Sequence, residues 1–248
     1  MTEEFNGMTA LVTGATAGIG RAVAVLLAGR GASVIVHGRD AARGDDVVKQ
    51  LQADRATARF IAADLSDKTD VRRLARQAGD VDILINNAGV YRFGGTVDTD
   101  DALFDLHIET NLRAPFILVQ ELAPRMAARG GGTIVNVSTF GASVAGKGGG
   151  IYGASKAALE LMTLVWADEF GPDGVRVNAL AAGPTRTPGT APAGDMVEAL
   201  ARAFALGRAA EAEEIAAAVV FLAGPESSFV NGAVLQAHGG LRAVEPRA

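Results

Sequence analysis

The sequence contains no cysteine and only three histidines among its 248 residues. Without thiols the chain can form neither structural disulfides nor thiolate metal sites. The histidines, His37, His107 and His238, stand too far apart in sequence to match the spacing of a zinc site. We therefore predict a protein that needs no metal ion.

Long apolar runs and an excess of positive charge are also absent. No run of 18 apolar residues occurs, and residues 1–7 are polar and acidic, which argues against a membrane span and a secretory leader. The formal net charge is −5 with both signs interspersed, so the sequence offers no basic patch for a phosphate backbone. We expect a cytoplasmic protein that binds neither membrane nor nucleic acid.

Hydrophobic residues make up 49% of the chain, which is enough to bury a sizeable core. No linker or break in composition divides the chain, and a repeated strand-helix pattern of this size fits one α/β unit. We predict a single domain over residues 1–248.

Seven short apolar segments with β-branched residues predict buried strands, and helical patterns separate nearly all of them. The segments are residues 9–13, 32–36, 59–62, 81–86, 133–137, 175–180 and 233–236. Strands joined by crossover helices imply a doubly wound parallel sheet with helices on both faces. In such a sheet, ligands bind at the carboxyl ends of the strands.

Two segments depart from this alternation. Residues 101–128 form one long helical pattern. Residues 183–194, rich in proline, glycine and alanine, follow the sixth strand and lead into a helix-like segment at 195–206. Because long connections at strand ends are often functional, we predict a substrate lid over residues 184–206.

Glycines cluster between the first strand and the helix predicted at 18–30. Glycine there permits a tight turn and close backbone approach, while the helix N-terminus faces an anion. An ordinary glycine turn is the alternative, but the strand-loop-helix context favours the pyrophosphate of a dinucleotide. The predicted contacts are Gly14, Thr16, Gly18, Ile19 and Gly20.

The end of the second strand bears on the choice of cofactor. An acidic residue at this point would bind the ribose 2′-hydroxyl of NAD and repel a 2′-phosphate. The sequence has Gly38 and Arg39 instead, and a guanidinium suits bidentate phosphate binding. A solvated surface arginine is the alternative, and the neighbouring Asp40 weakens the case. We predict that NADP(H) is preferred over NAD(H).

Two further strand ends carry candidate cofactor contacts. Asp64 and Leu65 follow the third strand, where they would bond and flank an adenine. Asn87, Ala88 and Gly89 follow the fourth, where they bring amide and backbone groups to the sheet edge. Both segments are also ordinary turn sequences, so either can be a turn alone.

Tyr152 and Lys156 lie four residues apart in a helical pattern, which puts phenol and ammonium on one face. A phenol with a pKa of about 10 is a weak base at neutral pH, but a nearby positive charge lowers its pKa. A tuned Tyr152 can then exchange a proton with a carbonyl or alcohol oxygen. A chance pair on an exposed helix face is the alternative.

Together these residues resemble the short-chain dehydrogenase/reductase family, and 3-oxoacyl-carrier-protein reductases are the nearest general resemblance within it. The motifs follow the family's order and spacing, and the match extends from Gly7 to Gly240. They are Thr13-Gly14 with Gly18-Ile19-Gly20, Asn86-Asn87-Ala88-Gly89, Asn111, a hydroxyl residue 13 positions before a tyrosine, and Tyr152 with Lys156. The resemblance implies a Rossmann-type fold, one dinucleotide-binding and catalytic domain, and a homodimer or homotetramer.

The resemblance also implies roles in an Asn-Ser-Tyr-Lys tetrad. Tyr152 is the general acid/base, and Lys156 binds the nicotinamide ribose hydroxyls and lowers the pKa of Tyr152. Asn111 holds a water that links Lys156 to solvent. Thr139 takes the serine position, because it lies 13 residues before Tyr152 and 28 after Asn111, whereas Ser138 is one residue off in both directions.

The segment after the sixth strand departs from the family pattern. Ala182-Gly183 replaces the usual Pro-Gly, and Pro184 follows. By resemblance, this segment contacts the nicotinamide carboxamide through Gly183, the backbone of Thr185 and the hydroxyl of Thr187.

The sequence thus predicts an NADP(H)-dependent oxidoreductase that transfers a hydride between nicotinamide and a small ketone or secondary alcohol. The alternatives are a dinucleotide-binding regulatory protein without turnover, an NAD-dependent dehydrogenase and a 3-oxoacyl thioester reductase. The last favours a basic docking surface, for which Arg125 and Arg129 are the candidates. His107, one helical turn before Asn111, is expected to be an interface or surface residue rather than a catalytic one.

Overall fold

A computed structural model describes residues 4–241, and its main feature is a seven-stranded, fully parallel sheet. The strands are β1 (Thr9–Val12), β2 (Ser33–Gly38), β3 (Ala58–Ala62), β4 (Ile83–Asn86), β5 (Gly132–Thr139), β6 (Val175–Ala182), β7 (Thr185–Arg186), β8 (Ala210–Glu211) and β9 (Val234–Ala237). The order across the main sheet is β3-β2-β1-β4-β5-β6-β9. All seven predicted strands are confirmed, and the single-domain Rossmann-type fold with them.

Helices cover both faces of the sheet. They are α1 (Gly18–Gly29), α2 (Ala41–Ala53), α3 (Lys68–Ala78), α4 (Asp101–Ile108), α5 (Ala114–Ala128), α6 (Gly150–Phe170), α7 (Met196–Ala201) and α8 (Ala212–Ala223). Side chains of β1 alternate between the two faces: Ala10 and Val12 join a core cluster with α1 and α8, while Leu11 joins one with α3, α5 and α6. The alternation fixes which face each helix covers.

Three features differ from the sequence predictions. The helical pattern at 101–128 is two helices, because a π-helical turn, Glu109–Arg113, separates α4 from α5. The helix-like segment at 195–206 contains only the short α7. β7 and β8 pair with each other in a separate parallel ladder that the sequence did not suggest. Two-residue strands carry no periodicity, so only the tertiary contact defines them.

None of the helices between residues 4 and 241 is both long and apolar enough to cross a membrane. In the same range, no group of three or more His, Asp or Glu side chains could hold a metal ion.

Candidate active site

The strand order reverses between β1 and β4, so a crevice opens beyond their carboxyl ends. Thr13 ties the two ends together. Its hydroxyl donates to the Ile85 carbonyl at 3.2 Å and accepts from the backbone N–H groups of Asn87 and Ala88 at 3.0 Å. The Asn87 amide in turn donates to the Thr13 carbonyl at 2.9 Å. These bonds bring the predicted contacts Asn87 and Ala88 beside Gly14.

The glycine loop has a backbone that other residues would not allow. Gly14 and Gly18 have φ values of +66° and +53°, in the left-handed region that favours glycine. A Cβ on Gly20 would collide with the Gly14 carbonyl oxygen and the Asn87 amide. The N-cap of α1, Ala17, supplies no side-chain hydrogen bond, and the first turn has no acidic residue. The loop and the uncapped helix start therefore fit an anion such as a pyrophosphate.

His37 supports this loop through hydrogen bonds of its ring, a role that the sequence did not indicate. Its ring is buried, with Nδ1 3.2 Å from the Gly14 N–H and Nε2 3.2 Å from the Ala63 carbonyl. Burial lowers the pKa of His37 to about 4, so the ring is neutral at physiological pH. A neutral ring can accept the Gly14 N–H at Nδ1 and donate Nε2–H to Ala63.

The two charged side chains at the end of β2, Arg39 and Asp40, differ in their contacts. Asp40 caps α2 by accepting the Arg43 N–H at 3.1 Å and pairs with the Arg43 guanidinium at 3.0 Å. Arg39 is exposed, and no acceptor between residues 4 and 241 receives a hydrogen bond from it. Thr16 fills the space over Gly38, where a Cβ would lie 2.5 Å from the threonine methyl. The acidic neighbour is thus engaged elsewhere, and the guanidinium is available.

Asp64 and Leu65 follow β3 on the same edge of the sheet. Asp64 Oδ1 accepts from the N–H and the hydroxyl of Ser66 at 2.9 and 2.8 Å, and these bonds hold the pKa of Asp64 below its usual value. Leu65 is buried. Arg39 and Asp64 line one shallow depression, so the two predicted adenine-side contacts are close together.

Tyr152 and Lys156 project from α6 toward the end of β5. Thr139 lies beside the Tyr152 phenol and acts to lower its pKa, and its hydroxyl accepts the Gly141 N–H at 3.3 Å. Lys156 is 4% exposed, and its Nζ donates to the Val137 carbonyl at 2.8 Å. Burial lowers the pKa of Lys156 to about 8. The site therefore holds a buried ammonium with a lowered pKa, one helical turn from a phenol that has a hydroxyl beside it.

The expected lowering of the Tyr152 pKa is not found. Burial raises the pKa of Tyr152, the neighbouring Thr139 hydroxyl opposes that rise, and Tyr91 adds to it. Lys156 does not contribute to the pKa of Tyr152, because its ammonium is turned to the Val137 carbonyl. The protein alone thus keeps the phenol protonated at neutral pH.

Ser138 and Thr139 point in different directions, as adjacent residues of a strand do. Ser138 Oγ donates to Glu160 Oε1 at 2.6 Å on the face of α6 one turn beyond Lys156. Only Thr139 is placed beside Tyr152. The sequence analysis gave Glu160 no role.

Asn111 is fully buried in the π-helical turn, and its side chain is committed to the chain itself. Oδ1 accepts from the Val90 N–H at 2.8 Å, while Nδ2 donates to the Val90 carbonyl at 2.9 Å and to Ser155 Oγ at 3.0 Å. Pro115 stands four residues later and has no N–H for the Asn111 carbonyl. The Asn111 amide is therefore already paired within the protein, and its carbonyl lacks the usual donor four residues later.

Gly89 lies between the residues predicted to contact the cofactor after β4 and the side chains of Asn111 and Lys156. A Cβ there would lie 3.1 Å from Asn111 Oδ1 and 3.4 Å from Lys156 Nζ. Its backbone thus passes close to both side chains. Gly89 joins Asn87 and Ala88 in one continuous wall of the crevice.

The segment after β6 lies against both the glycine loop and the last strand. A Cβ on Gly183 would lie 2.6 Å from His238 Cα, so glycine is needed for this close approach. Thr185 is buried and donates to the Gly183 carbonyl at 2.9 Å. The Thr187 side chain would be 3.1 Å from a Cβ on Gly18. The Thr187 side chain therefore packs against the glycine loop.

The predicted lid, 184–206, is fastened at both ends. Arg186 pairs with Glu198 of α7 at 2.6 Å and with Glu211 of β8. At the other end Phe204 is buried, with its ring centroid 5.0 Å from that of Phe140 and 5.5 Å from that of His238. Phe204 is thus an anchor of the segment and not an exposed wall.

Around Tyr152 the structure places three further rings. Phe93 makes an edge contact with Tyr152 at a centroid distance of 5.7 Å. Tyr91 lies against the lid, where a Cβ on Gly189 would collide with its hydroxyl. His107 is fully buried, 6.3 Å from the Tyr152 ring, so its interpretation as a surface residue was wrong. Its Nδ1 lies 2.9 Å from the Leu103 carbonyl, while Nε2 has no hydrogen-bond partner among residues 4–241.

Arg125 and Arg129, the candidates for a basic docking surface, are paired with acidic residues. Arg125 pairs with Asp80 at 2.7 Å, and Arg129 pairs with Asp80 at 3.3 Å and Asp82 at 3.4 Å. Arg129 also donates to the Val81 carbonyl, just before β4 begins. The cluster lies at the amino edge of the sheet, opposite the crevice.

Comparison with known proteins agrees with this geometry along nearly the whole chain. The family described as enoyl-(acyl carrier protein) reductase matches residues 14–242. A cis-4-hydroxycyclohexanecarboxylate dehydrogenase from Sinomonas cyclohexanicum is 37% identical over 98% of this chain and 100% of its own length.

Two solved structures show the same fold. A short-chain dehydrogenase/reductase family protein has a TM-score of 0.91 and 48% identity, covering 96% of this chain and 98% of the other. A 3-oxoacyl (acyl-carrier-protein) reductase from Agrobacterium tumefaciens C58 with NADP bound has a TM-score of 0.91 and 31% identity, covering 96% and 95%. The crevice, the helix that carries Tyr152 and Lys156, and the similarity to these relatives support one assignment: this chain belongs to the short-chain dehydrogenase/reductase family of oxidoreductases.

Proposed function

We propose that this protein is an NADP(H)-dependent oxidoreductase that interconverts a ketone and a secondary alcohol, with Tyr152 as general acid/base. The observation that carries the proposal is the Tyr152 phenol, which lies beside the Thr139 hydroxyl and one helical turn from the buried Lys156. A phenol held in this way can exchange a proton with a substrate oxygen that Thr139 also bonds.

The dinucleotide fits the crevice because its edge leaves room for a pyrophosphate and offers unpaired N–H groups at the start of α1. Gly14, Gly18 and Gly20 would hold the phosphates, and the 183–187 segment the carboxamide. When bound, the cofactor supplies the hydride donor or acceptor. Lys156 would bind the ribose hydroxyls and hold positive charge close to the site.

For reduction, Tyr152 Oη gives its proton to the substrate oxygen. The raised pKa of Tyr152 suits this step, since the phenol is fully protonated at neutral pH before substrate binds. Thr139 holds the substrate oxygen and the phenol in one hydrogen-bonded group. The proton is replaced through Lys156, one helical turn from Tyr152.

The preference for NADP(H) rests on Arg39. Its guanidinium is exposed at the end of β2, while Asp40 is engaged with α2 and Arg43. Substituting Arg39→Asp should lower the ratio of kcat/KM for NADPH to that for NADH by about 10²-fold, since a phosphate contact becomes a repulsion. An unchanged ratio would reject the assignment. Arg55→Asp, on an exposed turn before β3, serves as the charge-matched control.

The substrate side favours a moderately hydrophobic carbonyl compound. Met196, Leu200 and Leu206 of the proposed lid are exposed, as are Tyr91 and Phe93. An apolar rim around a few polar groups is typical of small-molecule sites. The paired Arg125 and Arg129 give an acidic carrier protein no docking surface, so we favour free substrates over 3-oxoacyl thioesters on the carrier.

The deciding experiment is NADPH oxidation against a panel of ketones, diketones, sugars and β-ketoacyl thioesters. We expect turnover with at least one hydrophobic ketone, and loss of at least about 10³-fold in kcat for Tyr152→Phe, which keeps the ring and removes only the hydroxyl. Turnover retained by Tyr152→Phe would reject the assigned role. Absence of turnover across the panel, with dinucleotide binding intact, would favour a regulatory protein.

We also propose a homo-oligomer. Exposed apolar side chains occur on three helices, α4, α5 and α6; they are Phe104, Phe116, Leu161, Leu164 and Val165. Exposed apolar surface is a feature of association surfaces. Sedimentation of the wild type and of Leu161→Glu should show a dimer or tetramer and its dissociation, and a monomeric wild type would refute the proposal.

A further inference from the structure

Glu160 lies on α6 one helical turn beyond Lys156, on the side that faces β5. Ser138 Oγ donates to its Oε1 at 2.6 Å, and this bond orients the carboxylate toward β5. Glu160 is only partly exposed, and burial raises its pKa, which Ser138 and Lys156 oppose. Partial burial of a carboxylate costs solvation free energy, so its position next to Ser138 requires an interaction that offsets this cost.

Lys156 is the group that Glu160 can serve. A buried ammonium is costly unless a counter-charge is near. Among the residues that the structure describes, Glu160 is the only carboxylate whose charge raises the pKa of Lys156. The (i, i+4) spacing on α6 puts both groups on one face.

We propose that Glu160, clamped by Ser138, is a positioning residue for the catalytic reaction and acts through Lys156 by keeping its ammonium charged and aligned along α6. This inference rests on the proposed function of Tyr152 and Lys156. It also gives Ser138 a role distinct from that of Thr139, because the two adjacent hydroxyls serve different residues of the same helix.

Other titratable groups around α6 do not supply the missing negative charge. The phenols of Tyr152 on α6 and of Tyr91 in the loop after β4 carry no negative charge at neutral pH, because burial raises the pKa of both, and the imidazole of His107 on α4 is not an anion. Three other groups on packed elements are paired within the protein: Glu109 of the π-helical turn pairs with Arg113, Glu121 of α5 pairs with Arg72, and Arg176 of β6 donates to the carbonyls of Leu222, Gly224 and Val230. The further carboxylates are exposed; they are Asp168 and Glu169 of α6, Asp101 and Asp105 of α4, and Asp173.

The substitution that tests the idea is Glu160→Gln. It keeps the shape and the acceptor for Ser138 while removing the charge. In the alcohol-oxidising direction, activity requires Lys156 as a cation, so the alkaline limb of kcat/KM reports its proton. We expect that limb to fall by about 0.5–1 pH unit, less than a fully buried pair would give because Glu160 is partly exposed. Ser138→Ala should shift it in the same direction by a smaller amount.

Glu169→Gln, at the exposed end of the same helix, is the matched control and should leave the profile unchanged. A wild-type profile for Glu160→Gln would overturn the inference. The alcohol is the product of the best ketone in the panel. Should Glu160→Gln fold poorly, the Ser138→Ala profile decides in its place, and an unshifted limb there overturns the proposal.

A second measurement needs neither cofactor nor turnover. Unfolding free energies of the wild type, Glu160→Gln, Lys156→Met and the double variant form a double-mutant cycle at pH 7. We expect Glu160→Gln to destabilise the wild type and to have little effect in the Lys156→Met background. Equal effects in both backgrounds would overturn the inference. If Tyr152→Phe keeps its activity, the proposed function fails, while this cycle still decides whether Glu160 acts on Lys156.

Discussion

Replacing Lys156 by methionine should stabilise the protein at neutral pH while abolishing its activity. Methionine keeps most of the length and the apolar stem of lysine but carries no charge. Lys156 is 4% exposed, and burial lowers its pKa from 10.5 to about 8. Each pKa unit corresponds to about 1.4 kcal/mol. The buried ammonium therefore destabilises the native state by about 3 kcal/mol at pH 7, as an order of magnitude.

The pH dependence of this cost follows from the difference in proton binding by Lys156 between the folded and the unfolded chain. Below pH 8 both the folded and the unfolded chain carry the Lys156 proton, and the native state bears the full cost. Between pH 8 and 10.5 the folded chain releases the proton while the unfolded chain keeps it, so the cost disappears as pH rises. Loss of the bond to the Val137 carbonyl offsets about 1 kcal/mol. We expect Lys156→Met to be about 2 kcal/mol more stable at pH 7 and slightly less stable near pH 10.

Urea unfolding of both proteins at pH 7, 8.5 and 10 measures this difference. Other titrating groups cancel in the comparison, because they are common to both chains. Lys147→Met, at an exposed position, should show no such trend. A Lys156→Met protein that is destabilised by the same amount at every pH would refute both the burial cost and its sign.

Two further substitutions test the geometry of the crevice. Gly20→Ala introduces a Cβ into the Gly14 carbonyl, so we expect a loss of about 1–3 kcal/mol in urea unfolding and at least a tenfold higher KM for NADPH, whereas Gly29→Ala, with open space around it, should be neutral or slightly stabilising. Thr139→Ala removes the hydroxyl beside Tyr152 and should lower kcat by about 10²-fold, while Thr139→Ser should retain most of it. Unchanged NADPH binding by Gly20→Ala, or full turnover by Thr139→Ala, would contradict the respective placement.

Much of the fold could be predicted because the signals are local. Each central strand is a short apolar run flanked by turn residues, and the glycine-rich turn after β1 marks where α1 begins, at Gly18. The boundaries of β4, β5 and β6 differ by two residues at most at each end. The π-helical turn at Glu109–Arg113 was missed, since one extra residue per turn leaves no clear change in apolar spacing.

Candidate residues of the site were also accessible, because helical period and strand ends bring them to one edge. The (i, i+4) spacing of Tyr152 and Lys156 fixes them on one face of α6. The alternation of strand side chains implied that Ser138 and Thr139 diverge. The residue that each of these two side chains contacts could not be predicted, because Glu160, the partner of Ser138, lies 22 residues further along the chain.

The sequence by itself determined the order of strands and helices, the glycine loop and the proton-bearing residues of α6, because periodicity and turn chemistry are read within a few residues. Only the tertiary structure decided that Asn111 bonds Val90, that His37 braces the glycine loop and His107 is buried against Tyr152. It also decided the direction of the pKa of Tyr152 and the loss of charge stabilisation at Lys156. These depend on burial and on partners distant in sequence, and desolvation is a property of the packed fold rather than of any local pattern.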